Sequence, residues 1–174
     1  MGGRRPAIFR AAVVIGIMEV IFWRHAEAAP GEPDAARPLT EHGREQAALM
    51  ARWLAPRLPR ELRMLVSPAR RAQETARALG RSFETVEALA PETDATTLIG
   101  VIGWPDAERP ALIVGHQPTL GEAASHLQGG RQPAAAIAIG AVWWLRARTR
   151  KGRSEAELLL AIAPEMLARE GAGY

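Results

Sequence analysis

Ala111-Leu112-Ile113-Val114-Gly115-His116-Gln117-Pro118 is the stretch from which the fold can be read. Four apolar residues are too few for a helix, and a glycine, a polar pair and a proline close the run, the pattern of a buried strand handing over to a turn. A helix from about Thr119 to Leu127 is predicted beyond it. Two earlier stretches have the same shape: Glu19-Val20-Ile21-Phe22-Trp23 ends at Arg24-His25, and Leu62 to Val66 ends at Ser67-Pro68. Serine as N-cap with proline at the first helical position predicts a helix from there to about Leu79.

Helical spacing of Ala47, Met50, Leu54 and Leu58 behind an N-cap at Thr40 predicts a helix to about Arg57. Ala26 to Pro38, Trp104 to Pro110 and Gly129 to Pro133 read as loops, Phe83 to Val86 as a weak strand, and the residues after Asp94 as a short helix. Ala141 to Leu145 and Glu157 to Ile162 read as a hairpin joined by a basic turn, Arg148 to Arg153, with Trp143-Trp144 divided between core and rim. Strands alternating with helices predict an α/β fold, a three-layer α/β/α sandwich whose central sheet is mostly parallel with an antiparallel C-terminal element.

The 174 residues match one domain of ordinary size, and 48% hydrophobic with 24% charged residues is the balance of a globular core. With no cysteine, disulfides, thiolate metal sites and cysteine nucleophiles are excluded. All but Lys151 of the 22 basic residues are arginine, yet the net charge is only +3, so composition alone names no partner. Residues 1–17 combine Arg4-Arg5 with an apolar run that Glu19 interrupts. That is shorter than the roughly 20 residues of a membrane span, so they read as an N-terminal extension, disordered in expectation, ahead of a domain over 18–174. No membrane anchor and a cytoplasmic location are expected.

In open α/β sheets ligands bind at the carboxyl ends of strands. Three such ends carry Arg24-His25, Ser67 with Arg70-Arg71, and Gly115-His116. Arg70 and Arg71 fall in the first turn of a helix, where the macrodipole disfavours cations, unless an anion is held there. A crevice with two histidines and several arginines suits a phosphoryl group.

Arg24-His25-Ala26-Glu27, Arg37-Pro38-Leu39-Thr40 with Gly43, Leu65-Val66-Ser67-Pro68 with Arg71-Ala72 and Thr75, and Val114-Gly115-His116-Gln117-Pro118 together resemble the ordered motifs of the histidine phosphatase superfamily, and within it the short SixA-type phosphohistidine phosphatases. The resemblance runs from about Met18 to Pro164. It implies that His25 is the nucleophile, forming a phosphoenzyme that water hydrolyses, and that Arg24, Arg71 and His116 clamp the phosphate. Arg37 is implied as a further substrate contact. No metal and no cofactor are implied.

One branch of the superfamily places an acidic residue after the second histidine; here Gln117 stands there and cannot act as a general acid. Glu27, Glu92 and Asp94 are the remaining candidates. A phosphoramidate leaving group needs less proton donation than an alkoxide, and the short segment from Pro91 to Trp104 leaves little chain to cover the pocket. Both point to phosphohistidine on a protein, such as a histidine phosphotransfer domain. The competing readings are a phosphomonoesterase for a small metabolite and a phosphate-binding protein with little turnover. His42 and His126 read as surface or packing residues. Arg146, Arg148, Arg150, Lys151 and Arg153 read as a solvated hairpin, so no nucleic-acid partner is expected.

Overall fold

The computed structural model describes residues 18–130, 133–150 and 153–171. The extension expected over 1–17 lies outside them. Strands β1 (Glu19–Arg24), β2 (Arg63–Val66), β3 (Glu84–Thr85), β4 (Ala111–Gly115), β5 (Val142–Arg150) and β6 (Arg153–Ile162) form one sheet in the order β3-β2-β4-β1-β5-β6. The first four run parallel; β5 pairs antiparallel with β1, and β6 with β5. Helices α1 (Glu41–Leu54), α2 (Arg70–Arg77), α3 (Ala95–Ile102), α4 (Thr119–Leu127) and α5 (Pro164–Gly171) cover its two faces.

Period-two alternation sorts the side chains between those faces. Val20, Phe22, Leu65, Ile113 and Leu145 pack with Leu98, Ile102, Leu120 and Ala123 of α3 and α4. Ile21, Trp23, Met64, Val66, Leu112 and Val114 pack with Met50, Leu54, Ala72, Ala76 and Leu167 of α1, α2 and α5. Strands covered on both sides must be apolar throughout, which is why β1 and β4 read as unbroken hydrophobic runs. The expected three-layer sandwich is therefore the one formed.

Thr40 caps α1 by accepting from Gly43 N–H at 2.8 Å, and Asp94 caps α3 by accepting from Thr97 N–H at 2.8 Å. The start of α2 differs from expectation. Ser67 and Pro68 stay outside it, Ala69 occupies the N-cap position without a capping side chain, and the helix opens at Arg70. Ser67 is drawn elsewhere, toward His116.

The hairpin also departs from the reading as a basic turn. Its strands extend through Arg148, which ion-pairs with Glu157 at 2.6 Å, while Arg146 donates to Glu19 at 2.8 and 2.9 Å. Lys151 and Gly152 lie outside the described residues. Trp144 is buried and donates from Nε1 to Glu19 Oε2 at 2.9 Å, whereas Trp143 is half-buried against the opposite face, the division that alternation predicts. Helix α5 was not expected; among its described side chains Leu167 is the one large side chain that is buried, too sparse a pattern to mark a helix. Among the described residues no helix is long and apolar enough to cross a membrane.

Candidate active site

Parallel pairing brings the three strand ends together. Arg24 lies in register with Gly115, His25 N–H donates to Gly115 O at 3.1 Å, and Ser67 N–H donates to Val114 O at 3.1 Å. His25, His116 and the start of α2 thus share one edge, with the two imidazole centroids 5.1 Å apart.

His25 Nδ1 lies 2.7 Å from the Ala26 carbonyl oxygen. A carbonyl only accepts, so Nδ1 carries the proton and Nε2 keeps its lone pair. Arg71 Nε meets that lone pair at 3.3 Å. Burial, aided by the charges of Arg71, Arg24 and Arg37 and opposed by the bond to Ala26, lowers the His25 pKa to about 4. Burial, then the proximity of His25 and Arg71, lowers that of His116 to about 3. Both rings are neutral at pH 7.

Arg71, with a side chain only 6% exposed, uses its other nitrogens on Asp34: Nη1 donates to the backbone oxygen at 2.8 Å and Nη2 to Oδ2 at 2.9 Å. Asp34 Oδ1 accepts from Arg37 Nη1 at 2.9 Å, and Arg37 Nε donates to Ala29 O at 2.8 Å. Bonds from Arg37 and Arg71 hold the Asp34 carboxyl below the usual carboxylate range. Arg24 is anchored by Nη1 on Ile137 O at 2.8 Å. Its Nε and His116 Nδ1 are buried without a hydrogen-bond partner, unusual for polar atoms in a folded core. Two unpaired nitrogens beside two arginines and a neutral nucleophilic nitrogen are suited to an oxyanion.

Close backbone approaches hold these groups in place. A Cβ on Gly43 would run into the Glu27 carbonyl oxygen, and one on Gly121 into the Ala135 carbonyl oxygen. The first packs α1 against the loop after His25; the second packs α4 against the segment whose Ile137 anchors Arg24. Thr75 joins α2 to the same loop, accepting from Ala26 N–H at 3.0 Å and donating to Arg71 O at 2.8 Å.

The profile of the histidine phosphatase superfamily (branch 1) matches residues 20–95. The phosphohistidine phosphatase SixA homolog of Haemophilus influenzae is 34% identical over 132 residues, 67% of this chain and 80% of that protein. Phosphohistidine phosphatase SixA of Escherichia coli K12 is 32% identical over 125 residues, 67% of this chain and 78% of that protein. A solved structure of the protein histidine phosphatase SixA complexed with tungstate superposes with a TM-score of 0.70 at 27% identity, covering 86% of this chain and 99% of that one. The chain is a SixA-type member of the histidine phosphatase superfamily.

Within this superfamily scaffold, the sequence-predicted residues His25, Arg24, Arg71 and His116 come together, with Arg37 one step behind, joined through Asp34. The candidate acids do not form a comparable group. Asp94 spends its carboxylate on the α3 cap, and the bond from Thr97 N–H lowers its pKa, so it is a poor proton donor at neutral pH. Glu27 Oε1 accepts from Thr40 Oγ1 at 2.7 Å, and Glu92 is exposed on the loop before α3. His42 and His126 are exposed on α1 and α4, as expected. Among the described residues no cluster of three or more His, Asp or Glu has the spacing to hold a metal.

Sequence reasoning missed Asp34 and the bond between Ser67 and His116. The Asp34-Ala35-Ala36-Arg37 spacing on a turn of 3₁₀ helix was the available signal for the first. For the second there was none, since the partners lie far apart in the chain.

Proposed function

We propose that this chain hydrolyses phosphohistidine on a protein, such as a histidine phosphotransfer domain, through a covalent intermediate on His25. The carrying observation is the state of His25: its Nδ1–H is committed to Ala26 O, its ring is neutral, and Nε2 faces the Arg71 guanidinium. The Nε2 lone pair attacks phosphorus in line. The P–N bond to the substrate imidazole breaks, and its electron pair leaves with that nitrogen. The positive charge left on the His25 ring is shared through Nδ1–H with the Ala26 carbonyl.

Arg24, Arg71 and His116 bind the equatorial oxygens, where phosphoryl transfer draws most of its stabilisation. Arg37 holds Asp34 on the outer side of Arg71 and adds positive charge to the site. Water then attacks phosphorus, breaks the bond to Nε2 and releases inorganic phosphate. A substrate imidazole protonated on its other nitrogen departs neutral, so the first step needs no general acid. That matches a site where Gln117 replaces an acid and Asp94 is committed to a helix cap. The metal-independent chemistry of the superfamily fits this donor set of imidazoles and guanidiniums.

The test compares turnover of a phosphohistidine protein with that of sugar and nucleotide phosphates, with His25→Ala as control. Preference for the phosphoramidate is expected, with a phosphoenzyme that His25→Ala abolishes and a rate loss of at least about a thousandfold, as for loss of other covalent nucleophiles. Preference for an ester would overturn the substrate assignment. An unaltered rate in the variant would overturn the intermediate.

A further inference from the structure

Ser67 is fully buried, and its hydroxyl lies 2.7 Å from His116 Nε2. The backbone places it there: β2 and β4 run parallel, with Val66 paired to Val114, so Ser67, which follows β2, and His116, which follows Gly115 at the end of β4, lie at one edge of the sheet. The same hydroxyl oxygen accepts from Ala69 N–H at 3.3 Å. These are its only hydrogen-bond partners among the described residues.

A hydroxyl has one proton to give, and leaving it unpaired in a buried site is costly. Ala69 offers only a donor, so the proton has one acceptor within reach, the lone pair of His116 Nε2. A neutral imidazole that accepts at Nε2 carries its own proton on Nδ1. His116 Nδ1 is the ring nitrogen that is buried with no partner. The opposite tautomer would strand the serine proton and leave a bare lone pair on Nδ1, which repels an oxyanion instead of binding it.

We propose that Ser67 is a positioning residue: its hydroxyl donates to His116 Nε2 and thereby fixes the tautomer that offers Nδ1–H to a phosphoryl oxygen. The placement of that oxygen rests on the proposed function, whereas the tautomer itself does not. The assignment also explains why the serine that follows β2 does not cap α2. Its side chain is engaged across the sheet with His116, and Ala69, whose own side chain cannot cap, is left at the N-cap position.

Nitrogen-15 NMR of the His116 ring tests this in the full chain, without substrate, alongside Ser67→Ala and Ser67→Thr. The unsubstituted chain should show the Nδ1–H tautomer from pH 5 to 8. Ser67→Ala should lose that single tautomer, lower kcat on the order of ten- to hundredfold, by analogy with removal of the outer partners of metal-ligating histidines, and change KM by less than about threefold. Competition by inorganic phosphate should weaken in parallel. Ser67→Thr should restore the tautomer and most of the rate.

A proton on Nε2 in the unsubstituted chain would overturn the proposal and requires no variant to fold. So would Ser67→Ala retaining the Nδ1–H tautomer with unchanged kcat. If the substrate comparison fails while the tautomer holds, the proposed function is at fault and the role of Ser67 in fixing the ring stands.

Discussion

Arg71 on α2 and Arg148 on β5 are the same residue type, yet they sit in opposite electrostatic settings. Arg148 lies on the exposed hairpin with its side chain 60% open and is matched by Glu157. Arg71 is 6% open and spends one of its N–H groups on a neutral histidine. Its acidic partner, Asp34, is shared with Arg37 and stands at the mouth of the site with its side chain 47% exposed. A solvated pair on a strand is nearly neutral in free energy. A buried guanidinium flanked by Arg24 and two uncharged imidazoles is an electropositive pocket held ready for an anion, and the surrounding fold carries the cost of assembling it.

The sharpest way to break this contrast is to remove each arginine in turn. Arg71→Ala should lower kcat about a hundred- to thousandfold, the range for loss of one preorganised oxyanion donor. Arg71→Lys should recover little of it, because an ammonium cannot reach His25, Asp34 and the phosphoryl group as a fork does. Steady-state kinetics checks both, and a lysine variant with near-full activity would show that charge alone suffices.

The pH response sharpens the same contrast. Folding favours neutral His25 and His116, with pKa values of about 4 and about 3 against an ordinary 6.5. The unfolded chain therefore binds more protons as pH falls below 6.5, and stability should decline from there toward pH 4. Denaturant unfolding at a series of pH values measures it, and His116→Asn should flatten the slope. No change in slope would mean that the rings titrate as if solvated.

Arg148→Ala should alter stability by less than about 1 kcal/mol and turnover by less than about twofold, as expected for an exposed pair. Thermal unfolding and the phosphatase assay check it. A large loss of activity would make the hairpin part of the functional surface.

Much of the fold was legible because its signals are local. Val20 to Trp23 and Ala111 to Val114 are apolar throughout since both faces of those strands are covered, and Thr40 and Asp94 announce helix starts by chemistry that needs no distant partner. The motif residues His25, Arg24, Arg71 and His116 were legible because each stands at a strand or helix end. The misreadings have the opposite origin. Ser67 looked like a cap for the helix beside it in sequence, but its hydroxyl is taken by a histidine 49 positions away. The basic turn dissolved into paired strands because Glu19, brought by β1, and Glu157, brought by β6, face Arg146 and Arg148.

By itself, then, the sequence determined where the chain extends, where it coils and which residue types stand at the ends of its strands, all consequences of local periodicity and turn chemistry. Only the tertiary structure decided how those ends act on one another: that β4 lies between β1 and β2, that Asp34 joins Arg37 to Arg71, and that the Ser67 hydroxyl meets His116 Nε2. The lowered pKa values of the two rings follow first from burial, and that burial is supplied by parts of the chain that meet only when the sheet closes.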